Sequence, residues 1–246
     1  GADRVFGIGG APAIVAMALG TETVPRCDVV AGPGNAWTTL AKREIFGLAG
    51  VDLLPGPTET LIIADTHADP EDLAADLIAQ AEHGGPASPI LLADSDHLAE
   101  RTARAIDAQL DGLPLREVAA DSLARRGGIG VVESLEQAVE LSNGFAPEHL
   151  CIIVADPDRL LPLVRHAGGV FIGAGSPEVL GDYVAGPSHV MPTGGTARFA
   201  SPCGVWAFLK AVSEVRLPAD RSAALAPVAA RMARAEGLEG HARAAE

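Results

Sequence analysis

Aromatic residues, cysteines and positive charges are all scarce in this chain. Aromatic side chains make up 4% of the 246 residues, so we expect an aliphatic core, as where helices pack on a parallel sheet. The net charge of −14 argues against nucleic acid and anionic membranes as partners. Cys27, Cys151 and Cys203 are odd in number and lack C-x-x-C spacing, which is typical of reduced thiols in a cytoplasmic protein. The sequence predicts neither a membrane span nor a signal peptide.

The chain does contain a regular alternation of strand-like and helical segments. Strands are predicted at residues 4–8, 27–31, 51–54, 61–64, 90–93, 129–132, 150–154 and 169–172. Helices are predicted at residues 11–19, 36–46, 70–82, 96–110, 135–142, 157–164, 177–183, 205–212 and 219–236. This alternation predicts an α/β fold with incomplete Rossmann-like parallel sheets in two α/β segments, followed by a helical tail.

The predicted elements fall into three parts. Residues 1–56 form a first α/β segment, residues 57–200 form the main α/β domain, and residues 201–246 form the helical C-terminal tail. The chain begins with Gly1 rather than an initiator methionine and enters a strand-like run almost at once. This start indicates either the middle of a longer protein or an artificial boundary.

Two polar residues interrupt the apolar stripe of the helix predicted at residues 70–82. Gln80 falls near the middle of the stripe, where a core helix would carry Leu or Ala, and His83 follows one turn later at its edge. Burying such groups without partners would cost a few kcal/mol. A metal or a polar substrate would satisfy them; alternatively, the helix end simply meets water.

Two glycine-rich turns precede predicted helices. The first spans residues 7–12 and has Pro12 at the third glycine position of a dinucleotide-binding fingerprint. The second spans residues 32–35 and ends at Asn35, a suitable helix N-cap. Both turns could bring a helix N-terminus to a phosphate at one sheet edge, or both could be ordinary tight connections.

Further polar residues occur where strands and loops meet. Glu148 and His149 are adjacent at the entry to a strand and can form a general acid–base pair if the strand begins after them; a salt-bridged loop is the alternative. Asp182 and His189 lie in a segment rich in glycine and proline, of the kind that positions functional groups.

Seven motifs in the chain resemble those of the histidinol dehydrogenase family, in the family's order and with similar spacing. They are Gly-Pro-Gly-Asn35, Gly-Pro-Thr58-Glu, Gln80-Ala-Glu-His83, Ala-Pro-Glu148-His149-Leu, Gly-Asp182-Tyr, His189-x-x-Pro-Thr-Gly-Gly and Glu236-Gly-Leu-x-x-His241. The resemblance covers essentially the whole chain, but it corresponds only to the C-terminal part of the family's enzymes. The family's N-terminal segment completes both sheets and supplies part of the NAD site.

The resemblance implies a zinc- and NAD-dependent oxidation of L-histidinol through histidinaldehyde to L-histidine, the last step of histidine biosynthesis. The implied zinc ligands are Gln80, His83, Asp182 and His241. His149 would act as general base and Glu148 would activate the water that hydrates the aldehyde. The implied substrate-binding residues are Thr58, Gln80, His83, His149, Asp182, His189, Glu236 and His241, and Asn35 would contact NAD.

The resemblance also implies a cytoplasmic homodimer in which the C-terminal tail completes the partner's active site. Two positions depart from the family: Pro12 replaces a glutamine that contacts NAD, and Thr58 replaces the usual serine. The departures leave two alternatives open. One is a related zinc- and NAD-dependent dehydrogenase of another small polar alcohol, and the other is a non-catalytic zinc-binding remnant.

Overall fold

The computed structural model describes residues 1–246 and contains two parallel sheets with helices packed against them. The strands are β1 (Val29–Val30), β2 (Gly50–Val51), β3 (Glu59–Ala64), β4 (Ser88–Ala93), β5 (Gly128–Val131), β6 (His149–Ile153) and β7 (Gly169–Ile172). The helices are α1 (Gly10–Leu19), α2 (Ala36–Ile45), α3 (Pro70–Ala81), α4 (Asp96–Leu110), α5 (Arg116–Arg126), α6 (Leu135–Phe145), α7 (Glu178–Tyr183), α8 (Ala219–Ala235) and α9 (Glu239–Ala245). The predicted α/β class with parallel sheets is confirmed.

The larger sheet has five parallel strands in the order β5-β4-β3-β6-β7. Successive side chains of β3 point to opposite faces. Ile62 belongs to an apolar cluster with α3, α4 and α5, whereas Leu61 and Ile63 belong to a second cluster with α6. Because both faces of the central strands are covered, these strands consist of nearly continuous aliphatic runs.

The smaller sheet consists of β1 paired with β2, and its core is formed with α1 and α2. Ile14, Val30 and Ile45 are the largest buried side chains of this cluster. The smaller sheet lies entirely within residues 1–56, and the larger sheet lies within residues 57–200.

Packing divides the chain into two compact units, residues 1–208 and residues 209–246. In the second unit α8 and α9 pack against each other, and the guanidinium of Arg234 pairs with Glu239 and Glu246. Our three-part division of the chain stays a prediction. No helix of the structure is both long and apolar enough to cross a membrane.

Several predicted elements are wrong. Residues 4–8 form no strand, and Val5 is 88% exposed, because no other segment pairs with them. The helix predicted at 157–164 is two short 3-10 turns, and that at 205–212 is a 3-10 turn at Val205–Phe208. In the first of these segments Pro162 has no amide hydrogen to donate to an α-helical ladder. The helices α5 and α9 were not predicted.

Helix caps follow the sequence more closely. The side chain of Asp69 accepts a hydrogen bond from the Glu71 amide at 3.0 Å and begins α3. Ser134 accepts a hydrogen bond from the Gln137 amide and begins α6. Asp156, by contrast, makes no side-chain cap.

Candidate active site

The candidate site lies between the two sheets. It is bounded on one side by the turn at residues 32–35, which follows the carboxyl end of β1, and on the other by the amino ends of β3 and β6. A cavity of about 670 Å³ opens between them, a size suited to a small ligand. The predicted site residues on its wall are Asn35, Thr58, His83, Glu148, His149, Asp182 and His189.

The backbone before β6 brings Glu148 and His149 to this cavity together. Helix α6 ends at Phe145 and is capped by Ala146, whose φ of 58° is the one positive value outside glycine, and Pro147 follows without an amide hydrogen to donate. The strand begins at His149, so Glu148 stands just outside it. Both side chains can therefore face one site although they are adjacent in sequence.

Glu148 is buried and held by two donors from the segment that enters β3. The Thr58 hydroxyl donates a hydrogen bond to Glu148 Oε2 at 2.6 Å, and the Glu59 amide donates to the same oxygen at 3.1 Å. Burial raises the pKa of Glu148, and the nearby His149 and these two hydrogen bonds offset only part of that rise. The carboxyl group is thus adapted to exchange a proton closer to neutrality than an exposed glutamate.

His149 is surrounded by acidic groups. Its Nδ1 donates to the main-chain oxygen of Glu59 at 3.1 Å and lies 3.6 Å from Glu148 Oε2 and 3.7 Å from Glu178 Oε1. Its Nε2 lies 3.5 Å from Asp182 Oδ1 without a well-aligned hydrogen bond. Burial alone lowers the pKa of His149, but the Asp182, Glu178 and Glu148 carboxylates outweigh burial and raise it to about 9.

Sequence reasoning missed Glu178. It stands in the first turn of α7, four residues before Asp182, so the two side chains share one helix face. The Thr60 hydroxyl donates a hydrogen bond to Glu178, and burial raises the pKa of Glu178 to about 7. The i, i+4 spacing from Asp182 was the signal that could have identified it. Ligand atoms of His149, Glu178 and Asp182 lie within 4.8 Å of one another.

Gln80 is fully buried in α3, and neither its amide oxygen nor its amide nitrogen has a hydrogen-bond partner. Asp182 Oδ1 and His149 Nε2 are likewise buried without one. Helix α3 packs against α7, and His83, just beyond α3, lines the cavity with Asp182. Buried oxygen and nitrogen atoms that lack hydrogen-bond partners are suited to bind a zinc ion. Gln80 itself does not line the cavity wall.

The other residues singled out in the sequence lie in the turn before α2, in α1, at the end of α8 and in α9. Asn35 caps α2: its Oδ1 accepts hydrogen bonds from the Trp37 and Thr38 amides, so only its amide nitrogen is left for a ligand. Pro12 is exposed in α1 and does not line the cavity. In the unit of residues 209–246, Glu236 caps the end of α8 and His241 lies in α9; both are exposed.

The fold and the site define an α/β protein in which a buried Glu148–His149 pair lines a cavity between a small and a large parallel sheet. The family model described as histidinol dehydrogenase matches residues 1–246. The chain is 52% identical to the histidinol dehydrogenase of Deinococcus radiodurans over 100% of its own length, and 53% identical to that of Thermus thermophilus over 99%. The chain belongs to the histidinol dehydrogenase family.

A solved structure shows the same fold. The crystal structure of histidinol dehydrogenase from Elizabethkingia anophelis superposes with a TM-score of 0.89 over 96% of this chain, at 37% identity. The chain spans 57% of the Deinococcus protein, 59% of the Thermus protein and 55% of the Elizabethkingia chain. The resemblance drawn from the seven sequence motifs is therefore confirmed, including its restriction to part of the relatives' length.

Proposed function

We propose that this protein is a zinc-dependent histidinol dehydrogenase that oxidises L-histidinol to L-histidine with NAD. The observation that carries the proposal is that one cavity is lined by Asp182 and His149, whose buried Oδ1 and Nε2 atoms lack hydrogen-bond partners, and by the neighbouring Glu148. We infer L-histidinol as the substrate from family membership, because the related proteins are named histidinol dehydrogenase.

The proposed zinc ligands are Gln80, His83, Asp182 and His241. Zinc would polarise the bound amino alcohol, and two NAD⁺ molecules would each accept one hydride, the first in forming the aldehyde and the second in forming the acid. Asn35 would contact the dinucleotide through its amide nitrogen, because its side-chain oxygen is already used in capping α2.

His149 would accept the proton of the substrate alcohol, with its Nε2 facing the ligand. In the ligand-free site its pKa of about 9 keeps the ring protonated at neutral pH. Charge neutralisation at Asp182 on zinc binding would lower that pKa and make the ring a base. Glu148, whose pKa is raised by burial, would then take a proton from the water that hydrates the aldehyde.

Thr58, His189 and Glu236 would complete the substrate site. Thr58 and His189 line the cavity, and the carboxylate of Glu236 suits the ammonium group of an amino alcohol. If histidinol is the substrate, Glu236→Gln should raise its Michaelis constant sharply. An unchanged constant would favour another small polar alcohol.

Zinc-dependent turnover tests the proposal directly. In the complete protein, removal of metal with a chelator should abolish NADH formation from L-histidinol, and added zinc should restore it. Glu148→Gln should bind zinc normally but turn over far more slowly. Zinc binding by the unmodified protein without any NADH formation from histidinol would overturn the proposal and favour a non-catalytic zinc protein.

We propose further that Glu236 and His241 act in the partner's site of a homodimer. Both residues are exposed in the unit of residues 209–246, as residues donated to another subunit must be. Coexpression of Glu148→Gln and His241→Ala chains should then restore about a quarter of the sites, because one site of each mixed dimer has both native residues. No recovery on mixing would show that the tail acts within its own subunit.

A further inference from the structure

Lys42 is a buried cation that the acid–base centre does not use. It lies on the inner face of α2 and is 2% exposed, although lysine is almost never fully buried unless it is paired. Its Nζ lies 2.5 Å from Asp52 Oδ1, and the side chain of Asp52 is 0% exposed. A buried pair of this kind often contributes little net stability, because desolvation offsets the attraction, so stability alone does not explain why the pair is there.

Both charges of the pair also bind the same glycine. Lys42 Nζ donates a hydrogen bond to the Gly32 carbonyl oxygen at 2.5 Å, and the Gly32 amide donates to Asp52 Oδ2 at 2.8 Å. Gly32 has a φ of +130°, which side-chain-bearing residues rarely adopt. Lys42, Asp52 and Gly32 therefore form a closed ring of three contacts, which we call the Gly32 clamp.

The Gly32 clamp holds the first residue of the turn that borders the cavity. Pro33, Gly34 and Asn35 line the cavity and are exposed, so packing does little to fix their backbone. The last residue, Asn35, is fixed by its own capping hydrogen bonds to α2. Since Pro33 restricts its own φ, a clamp at Gly32 leaves the turn with very little freedom.

We propose that Lys42 and Asp52 are positioning residues that fix the residue 32–35 turn in the conformation that binds the dinucleotide. The ligand in this statement rests on the proposed use of NAD. A turn that is already ordered before binding loses less conformational entropy when the ligand arrives, and so binds more tightly. The clamp touches neither the predicted metal ligands nor the acid–base pair, so it should affect nucleotide affinity selectively.

The test is made in the complete protein with two variants and one control. Lys42→Met leaves Asp52 buried without its partner, so the double variant Lys42→Met/Asp52→Leu is included to replace the pair with apolar side chains. The control is Arg43→Met, which removes the adjacent exposed cation of the same helix. Five properties are measured: the Kd for NAD⁺ by calorimetry, amide hydrogen exchange across residues 32–40, the melting temperature, the zinc content and the Michaelis constant for histidinol.

We expect the double variant to melt near the unmodified protein, to exchange faster at residues 32–40 and to bind NAD⁺ about tenfold more weakly. The zinc content and the Michaelis constant for histidinol should not change, and Arg43→Met should match the unmodified protein throughout. A double variant with a Kd within twofold of the original and unchanged exchange would overturn the proposal. So would failure of both variants to fold, because the pair would then be required by the whole fold.

The same measurements separate this proposal from the proposed function. If the unmodified protein binds no NAD⁺, the dinucleotide assignment fails, and faster exchange in the double variant alone decides whether the clamp fixes the turn. If the unmodified protein binds NAD⁺ and oxidises histidinol while the variants do the same equally well, only the clamp is refuted.

Discussion

Thr58 lines the cavity, and its hydroxyl donates a hydrogen bond to Glu148 Oε2 at 2.6 Å. Thr58 therefore also positions the carboxylate of the proposed acid–base pair, Glu148 and His149. Thr58→Val keeps the shape of the side chain and removes the donor. A hydrogen bond to a charged group contributes about 1.5–3 kcal/mol, so we expect kcat to fall by about tenfold or more. The bond favours the charged form, so its loss should raise the pKa of Glu148 and move the acidic limb of the kcat–pH profile to higher pH.

The control for this prediction is Thr58→Ser, which keeps the hydroxyl and has the residue usual in the family. It should retain kcat and the pH profile. If Thr58→Val lowers only the affinity for histidinol and leaves the pH profile in place, Thr58 binds substrate without positioning Glu148.

Gln80 is the residue at which stability and the proposed metal function conflict. Its amide is buried without partners, so Gln80→Leu should stabilise the metal-free protein by about 1–3 kcal/mol while weakening zinc binding. Denaturant unfolding with and without chelator measures the first effect, and zinc titration measures the second. Gln109→Leu on α4 is the matched control, because Gln109 is bonded to Glu71 and its replacement should give no gain.

A loss of more than about 1 kcal/mol on Gln80→Leu would contradict this expectation. It would mean that the amide of Gln80 is hydrogen-bonded in the metal-free protein, and that its burial is structural.

At the scale of the element, α3 carries a partly buried carboxyl group, that of Asp76, on the same face as Gln80. Burial, together with Asp72 one turn earlier, raises the pKa of Asp76 to about 6. Asp76 therefore binds its proton more tightly in the folded protein than in the unfolded chain, where its pKa is about 4. The resulting stabilisation is complete below about pH 4 and is lost as the pH rises through 6.

Asp76→Asn should accordingly increase the free energy of unfolding by roughly 2 kcal/mol at pH 8 and by little at pH 4. Chelated samples are compared by denaturant unfolding at the two pH values. Asp107→Asn on α4 changes an exposed aspartate and should give the same small effect at both. An equal gain for Asp76→Asn at pH 4 and pH 8 would show that its carboxyl is not destabilised by burial.

Local sequence patterns predict the central strands and the helices with a clear apolar stripe or cap, because these depend on their own residues. The helix Asp96–Leu110 and the strand Gly169–Ile172 were predicted to the residue, and Gln80 was noticed because it breaks an apolar stripe. The strand at 4–8 failed because strands need a distant partner, which no local pattern reveals. Glu178 was missed for a similar reason: its burial follows from packing against His149 and Thr60, far away in sequence.

The placement of the site between two sheets also could not be predicted. The sequence placed Asn35 after one strand and Glu148 and His149 at the entry to another, and the structure has them after β1 and at the amino end of β6. The cavity is lined both by the turn after the carboxyl end of β1 and by the amino ends of β3 and β6. These segments meet only because of how the two sheets are placed relative to each other. Which of its residues bind zinc, NAD and histidinol stays a prediction.

At the scale of the whole molecule, large apolar side chains remain exposed in both compact units. Trp37, Phe199 and Trp206 in residues 1–208, and Val212 and Val215 in residues 209–246, are each more than 70% exposed. Exposed apolar surface of this extent is typical of surfaces that bind other chains. We therefore expect residues 1–246, produced alone, to dimerise or aggregate.

Light scattering during size-exclusion chromatography measures the molar mass and so tests this expectation. Trp206→Ser should reduce the association. Trp206 is 83% exposed, so the substitution should cost the fold little. A monomer that unfolds in one cooperative transition would contradict the expectation.

The hydrogen bond between His149 Nδ1 and the Glu59 carbonyl oxygen fixes the tautomer of the imidazole ring. A carbonyl oxygen can only accept, so Nδ1 keeps its hydrogen and a neutral ring must present the lone pair of Nε2 to the cavity. That oxygen belongs to the main chain, where β3 and β6 lie in parallel register. The tautomer of the imidazole is therefore set by the alignment of two strands, and side-chain substitution at residue 59 leaves it in place.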